Sequence, residues 1–258
     1  MTADDWAIWP IHDQSPYTNN LARRLEPPSA EHPFGTDQNG RDVLARIIHG
    51  GRVSLAVGFV SMGIALVIGI LIGALAGWFG GKTDMAISRF IEIVICFPTF
   101  FLILTVMAFW PPSIWNIMIV IGITGWTGIA RLVRGEVLRI RNEEFVLAAQ
   151  VTGARQMTVL FRHVLPHALA PVIVSAAFSV AGAMLTESSL SFLGFGVQPP
   201  TSSWGQILGQ SKPYVRTAWW LVVFPGVVLF LSITAYNILG DRLRERSDPR
   251  SVRRSRSR

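Results

Sequence analysis

Few residues of this chain could carry chemistry, and most of them sit where chemistry is costly. Glu187 lies in a long apolar stretch beside Thr186, Ser188, Ser189 and Ser191. An ionised carboxylate in hydrocarbon is expensive, so Glu187 and Ser188 either contact a substrate or anchor helix packing through hydrogen bonds. Packing is the plainer reading. Arg89 and Glu92 stand three apart and share a helical face, where they can pair with each other. His163 and His167 have a spacing that can ligate a metal, but no acidic or Cys neighbour completes a ligand set, and no metal site is expected. Cys96 is the single cysteine, which excludes an intrachain disulfide framework and a cysteine-rich metal centre. Ala76 to Thr83 reads AGWFGGKT, a relaxed match to the phosphate-binding loop. That loop works when a buried strand feeds a glycine turn and a helix N-terminus. Here an apolar, helix-length run precedes it and no strand ending in Asp supplies a magnesium ligand, so this chain is not expected to bind nucleotide or any other cofactor.

The elements that would position these residues are set by composition. Of 258 residues, 50% are hydrophobic and 15% charged, against roughly 25% charged in an average soluble domain. No Asp, Glu, Lys or Arg occurs in Val53 to Gly81, Ile93 to Ala130 or Thr217 to Gly240, runs of 29, 38 and 24 residues. A bilayer core about 30 Å thick needs about 20 helical residues, so each run can span it at least once. The pattern predicts an all-α integral membrane protein with five spans at about 53–78, 85–109, 113–129, 168–195 and 217–240. Glycines 58, 63, 69, 73 and 77 on the first span let a neighbouring backbone approach closely. Val43, Leu44, Ile47 and Ile48 have helical spacing and predict a short amphipathic helix ahead of that span. Pro98 predicts a kink in the second span.

Charge placement orients the spans. The stretch from Arg131 to His167 holds six arginines and three glutamates, and Asp241 to Arg258 holds eight arginines and three acids. Two spans separate these segments, so they share a side, which the positive-inside rule makes cytoplasmic. Residues 1–52, with seven acids and five arginines, then lie outside, as do the Trp110 turn and the loop from Gln198 to Arg216. No basic start, apolar core and cleavage site marks a secretory signal peptide. The basic tail RSVRRSRSR suits an anionic lipid surface rather than nucleic acid.

Between Arg131 and His167 the sequence NEEFVLAAQVTGARQMTVLFRHVLPHALAP predicts two short helices hinged at Gly153. Such a segment can lie on lipid headgroups or offer itself to a soluble partner, with Val146, Ala149, Met157 and Leu160 as its apolar contacts. Ala148-Ala149, then Gly153-Ala154, then Leu165-Pro166 resembles the EAA loop of permease subunits of bacterial ATP-binding-cassette (ABC) importers. In that family the loop docks on the ATPase subunit and transmits its closure. Leu147 stands where the motif's namesake glutamate falls, and Glu143 and Glu144 lie a turn upstream.

Three further blocks are similar to the second permease subunit of dipeptide, oligopeptide and nickel importers: Pro27 to Leu55 with its FGTDQNGRD core, GWFGG followed by Asp84, and SSLSFLGFGVQPP followed by Ser203-Trp204-Gly205. The resemblance covers about Pro27 to Gly240. It implies a non-enzymatic permease subunit of the bacterial inner membrane, working with a second permease, two ATPase subunits that hold ATP and Mg, and an extracytoplasmic substrate-binding protein. It also implies that Gly35, Thr36, Asp37, Gly40, Arg41, Asp42, Gly194, Gly196 and Trp204 face the binding protein or form a gate. Members of this family usually carry one more helix before the FGTD block, and no 18-residue apolar run precedes Gly35 here. A start site placed downstream of the true one is favoured over a genuine five-helix form. The alternative from another class, a stand-alone channel or ion-coupled transporter, would need several intramembrane carboxylates, where Glu92 and Glu187 are the candidates.

Overall fold

The structure, a computed structural model, describes residues 14–247, with side chains to 245. The basic tail expected at 241–258 therefore falls mainly outside the described residues. Nine α-helices are found among the described residues: α1 (Val43–Phe79), α2 (Gly81–Ile95), α3 (Thr99–Phe109), α4 (Ile114–Ile140), α5 (Glu144–Val151), α6 (Gln156–Val159), α7 (Leu165–Leu193), α8 (Trp204–Ser211) and α9 (Trp220–Ser247). A π-helical turn, Leu160–Val164, joins α6 to α7. Four stretches are long and apolar enough to cross a bilayer by themselves: α1, α4, the continuous rod Gln156–Leu193, and α9. Taken as one broken span, α2 and α3 make the fifth.

The expected spans are present, but several boundaries move for identifiable reasons. The amphipathic helix at 42–51 and the first span are one helix, α1. Its start is fixed by the Asp42 carboxylate, which accepts from Ala45 N–H at 2.7 Å, the bonding of an N-cap. With 37 residues, α1 is about 55 Å long at about 1.5 Å per residue. Its first turns therefore project beyond the hydrocarbon. The second span is broken rather than kinked, with α2 and α3 meeting at 75°. Pro98 has no N–H to continue the ladder, and it also disfavours helical geometry at Phe97. The helix that carries the third span does not stop at Arg131: α4 runs on to Ile140 because Val133, Val137 and Ile140 are buried and keep helical spacing. The helix that carries the fourth span begins before Pro166, since that proline lies in the first turn of α7, where a missing N–H is tolerated.

The tightest seam joins α1 to α4. Ser61, Ala65, Gly69, Gly73 and Gly77 recur every four residues along one stripe of α1, and the two helices run parallel. Ser61 Oγ donates to Met118 O at 3.0 Å. A Cβ placed on Gly69 would meet Ile129 at 2.7 Å, and one on Gly77 would meet Arg134 O at 2.8 Å. α7 returns antiparallel against both α1 and α4, with Gly58 against Met184 and Val180, and α9 packs on α7. The bundle thus has two ends. One carries the N-terminal block, the α7–α8 loop and α8; the other carries the Gly80 turn and the segment α5–α6.

Candidate functional site

At the first end, the FGTDQNGRD block closes on itself around Asp37. Gly35 and Gly40 have φ of 72° and 70°, left-handed geometry that glycine adopts without steric cost. At Gly40 a side chain would collide with Asn20 O at 1.7 Å. The Asp37 carboxylate accepts from Asn39 N–H at 2.7 Å and Arg41 N–H at 3.0 Å, an Asx-type turn. It also receives Arg41 Nε at 2.7 Å and Arg46 Nη1. Arg46, near the start of α1, extends the network to Gln206 Oε1 at 2.8 Å, Gln210 Oε1 at 2.9 Å and Ser202 Oγ at 3.2 Å. Asp37 is 0% exposed and Arg46 1%. Beside this network, His32 Nδ1 lies 2.8 Å from Asp42 Oδ2, and Trp220 Nε1 donates to Thr36 O at 3.1 Å. At the rim, Arg23 lies 2.5 Å from Glu31. That hydrogen bond holds the exposed Glu31 carboxyl below its ordinary range and the guanidinium above its own, because each charge favours the other.

The residues expected to face a binding protein or form a gate are therefore brought together, but most are interior. Thr36, Asp37, Arg41, Asp42 and Trp204 are buried, and Gly196 packs on Ser191. Gly194 is exposed as the left-handed cap of α7, a usual way to end a helix. Trp204 Nε1 donates to Ile47 O at 2.9 Å, which ties α8 to α1. Sequence reasoning missed Arg46, Gln206 and Gln210. The available signal was the position of Arg46, three residues after Val43 on the stripe that Val43 and Ile47 bury.

Glu187 sits beneath this block and is 0% exposed. Its Oε1 accepts from Ser191 Oγ at 2.6 Å and Ser203 Oγ at 2.7 Å, and Ser188 Oγ lies 3.4 Å from Oε2. Each of the two closer serines also accepts a backbone N–H: Val197 at 3.1 Å on Ser191, and Gln206 at 3.0 Å on Ser203, the N-cap of α8. One carboxylate thereby fixes both ends of the α7–α8 loop. Thr186 and Ser189 do not join it; their hydroxyls bond back to Gly182 O and Leu185 O. Glu187→Gln keeps an acceptor in place and is expected to be mild. Glu187→Ala orphans two buried hydroxyls and is expected to cost about 1–3 kcal/mol, seen as a lower melting midpoint in detergent; equal midpoints for the two variants would refute this role.

Between α1, α3, α4 and α7 lies an open cavity of about 270 Å³ lined with small and hydroxyl-bearing residues, among them Ser61, Thr99, Thr124, Ser179 and Thr186. Glu187 and Ser188 are not in its wall; their neighbours Ala183 and Thr186 are.

At the opposite end, α5 and α6 fold around Gly153. Its φ of 82° closes α5 in left-handed geometry, where glycine is favoured. Val146, Val159 and Leu160 are buried against the bundle, while Ala149, Ala154 and Leu165 pack half-buried on the same core. Phe145, Leu147, Val151, Met157 and Phe161 are exposed, Val151 at 88%. The face expected to present Val146 and Leu160 is corrected accordingly: both turn inward, and of that set Met157 is the exposed member. Glu143 and Glu144 stand exposed at the start of α5, Ala148 is exposed on it, and Pro166 is exposed at the base of α7. A groove of about 430 Å³ runs between Trp78, Phe79, Arg141 and Leu147. The Gly80 turn is pinned by Arg141 Nη1, which donates to Gly77 O at 3.0 Å, and by the pairing of Arg134 with Asp84. That pair is two-pronged, the stronger form of an arginine–carboxylate contact.

The remaining candidates resolve simply. Arg89 and Glu92 pair at 2.7 Å on the exposed side of α2. His167 Nδ1 bonds to His163 O at 2.8 Å, and among the described residues no cluster of His, Cys, Asp and Glu could hold a metal ion. Ala76 to Thr83 spans the end of α1, a glycine turn and the start of α2, so a helix and not a strand leads into it.

Fold and sites together define an all-α protein with, among the described residues, four or five helices long and apolar enough to cross a membrane. Residues 69–253 match the family described as binding-protein-dependent transport system inner membrane component. The chain is 41% identical over 242 residues to the dipeptide transport system permease protein DppC of Alkalihalophilus pseudofirmus, covering 93% of this chain and 80% of that one. It is 43% identical over 219 residues to the oligopeptide transport system permease protein OppC of Haemophilus influenzae, covering 85% and 70%. Among solved structures, the MetNI methionine ABC transporter in an inward-facing conformation shares the fold, with a TM-score of 0.64 at 21% identity over 78% of this chain and 95% of that one. The chain belongs to the binding-protein-dependent transport system inner membrane component family. It is a permease component of an ABC importer in the bacterial inner membrane, not an enzyme and not a stand-alone channel or ion-coupled transporter.

Proposed function

We propose that this chain forms, with a second permease subunit, the translocation path for peptides. Two ATPase subunits would drive it by hydrolysing ATP with Mg, and an extracytoplasmic binding protein would deliver the solute. The peptide class is supported by the names of relatives 41% and 43% identical to this chain. The cytoplasmic assignment of the α5–α6 end is supported by its arginines, Arg131, Arg134, Arg139, Arg141, Arg155 and Arg162, since basic loops stay inside. The opposite end, where the Asp37 network and the Glu187 cluster brace α8 and its loop, would then present its exposed rim to the binding protein.

The observation that carries the coupling assignment is the pair α5–α6 itself. Its inner face is locked to the bundle by Val146, Val159 and Leu160, while its outer face exposes large apolar residues at an aqueous end. Apolar side chains so placed suit a protein partner, and a rigid base lets that partner's movement reach α4 and α7. With Leu147 on the groove wall, docking here is apolar where the family motif would use a glutamate. Glu143, Glu144, Ala148, Gly153 and Pro166 edge the same surface.

Gly153→Asp tests this reading. A Cβ on Gly153 meets nothing within 4 Å, but its φ of 82° strains most side chains, so Gly153→Asn, uncharged and tolerant of left-handed geometry, is the control that separates backbone strain from the effect of charge on a partner. Desolvating an unpaired carboxylate at an interface is expected to lower the ATPase co-purifying from detergent-solubilised membranes by about tenfold or more. Failure of any ATPase to co-purify with well-expressed native chain would overturn the assignment.

A further inference from the structure

The cavity between α1, α3, α4 and α7 has a chemical bias that the overall function does not require. A hydroxyl offers one proton and two lone pairs. In this wall the protons are already committed: Thr124 donates to Val120 O at 2.8 Å, Ser179 to Ser175 O at 2.9 Å, Thr186 to Gly182 O at 2.9 Å and Ser61 to Met118 O at 3.0 Å. Those four side chains are left with acceptor capacity only, and no charged residue lines the cavity. Thr99 is the fifth hydroxyl, at the first turn of α3 beside the Pro98 break.

We infer that this cavity is a subsite for the peptide backbone in transit, which takes N–H donors of the solute on Thr124, Ser179 and Thr186 and offers no charged group to a carboxylate. The inference rests on the peptide reading above and adds to it how one chain can pass many peptides. Backbone N–H groups are common to all of them, whereas side chains are not. The cavity, about 270 Å³, is slightly smaller than typical ligand pockets of roughly 300–1,000 Å³. It therefore holds a short stretch of chain at a time. Without a charged partner, a peptide terminus is not trapped midway, and neutral hydrogen bonds of modest net strength let the solute leave. Gly182 also lines the cavity, and a Cβ there meets nothing within 4 Å, so the wall is open at that point.

The test uses the assembled importer in proteoliposomes, with binding protein preloaded with Ala-Ala or with its analogue N-methylated at the peptide nitrogen. Transport of each is measured for native and Thr124→Val/Thr186→Val complexes whose assembly is confirmed by co-purification. Discrimination by the binding protein cancels when the ratio for the variant is divided by the native ratio. The expected result is that the native preference for Ala-Ala falls about fivefold in the variant, the worth of one or two neutral hydrogen bonds. An unchanged ratio overturns the inference alone. A native complex that hydrolyses ATP with loaded binding protein but moves neither peptide overturns the peptide reading and the inference with it. As a second readout, Gly182→Phe, whose Cβ meets nothing within 4 Å, places a ring at the cavity wall and is expected to abolish transport by a complex whose assembly is confirmed by co-purification; native-rate transport by that variant also overturns the inference.

Discussion

Arg46→Ala is expected to cost about 3–5 kcal/mol, the range for removing one partner of a buried ion pair. Arg46 is the member of the network that reaches between elements. It joins Asp37 of the N-terminal block to Gln206, Gln210 and Ser202 of the α8 region. Its loss leaves the buried acceptors of Ser202 and Gln206 without their donor, while half-buried Gln210 keeps Arg41 Nη2 at 3.4 Å, and leaves the Asp37 charge to Arg41, which contacts it through Nε. For a chain of this size the loss corresponds to a melting midpoint lowered by roughly 10 °C, measured in detergent by size-exclusion after heating. Asp37→Asn is expected to be comparably damaging, because it leaves two guanidinium groups facing no carboxylate. The double variant Asp37→Asn/Arg46→Met should cost clearly less than the sum of the singles, since each removes what the other leaves unpaired. An Arg46→Ala chain that melts with the native one would show that the network adds nothing to the stability of this end.

The second large effect is expected at Gly73. A Cβ there would sit 2.4 Å from Ala130 O and 2.9 Å from Val133 Cβ, and a backbone oxygen cannot rotate aside as a flexible side chain can. Gly73→Leu must therefore push α1 from α4 along a seam that depends on close approach at Gly69, Gly73 and Gly77. Overpacking a tight site costs about 1–3 kcal/mol, and more when two long helices must part. Gly63→Leu supplies the control. Gly63 lies on the same helix, but a Cβ there meets nothing within 4 Å. Monodisperse yield from membranes should collapse for Gly73→Leu and stay native for Gly63→Leu. Equal yields would mean that the seam tolerates separation and that α1 and α4 are held by something else.

The medium and the element type were legible in the order of the amino acids, and so were four spans, with the α2–α3 pair as the fifth when counted as one. Apolar runs of this length leave backbone polar groups no water to bond, and in hydrocarbon only structures that satisfy those groups internally survive; a helix does so with one segment. Gly153 was legible as a hinge and Pro98 as a kink, which the fold deepens to a 75° break, because each is a local backbone constraint that needs no partner. Asp42 and Ser203 also act locally, capping the helices they precede, a role the sequence reading did not assign them. The same local view misplaced the end of α4. It took Arg131 as the helix end, where Val133 and Val137 simply continue the packing stripe on α1.

Which surfaces meet was settled by packing between elements. In water, the alternation of polar and apolar residues reports a helix's buried face. A span that is apolar all round carries no such signal, so the pairing of α1's small residues with α4 rather than with any other helix was not written in their spacing. Val146 and Leu160 were expected to face a partner and turn inward instead, because the rotation of α5 and of the α6 region is set by docking on the bundle core and not by their own short patterns. Glu187 was legible as a hydrogen-bond centre among hydroxyls, but its second partner, Ser203, lies sixteen residues on. Asp37 and Gln206 are farther apart still, and they meet through Arg46 because the bundle brings the start of α1 beneath α8. The hydroxyl-lined cavity arises in the same way: Ser61, Thr99, Thr124 and Thr186 come from four helices, and only their convergence makes a surface.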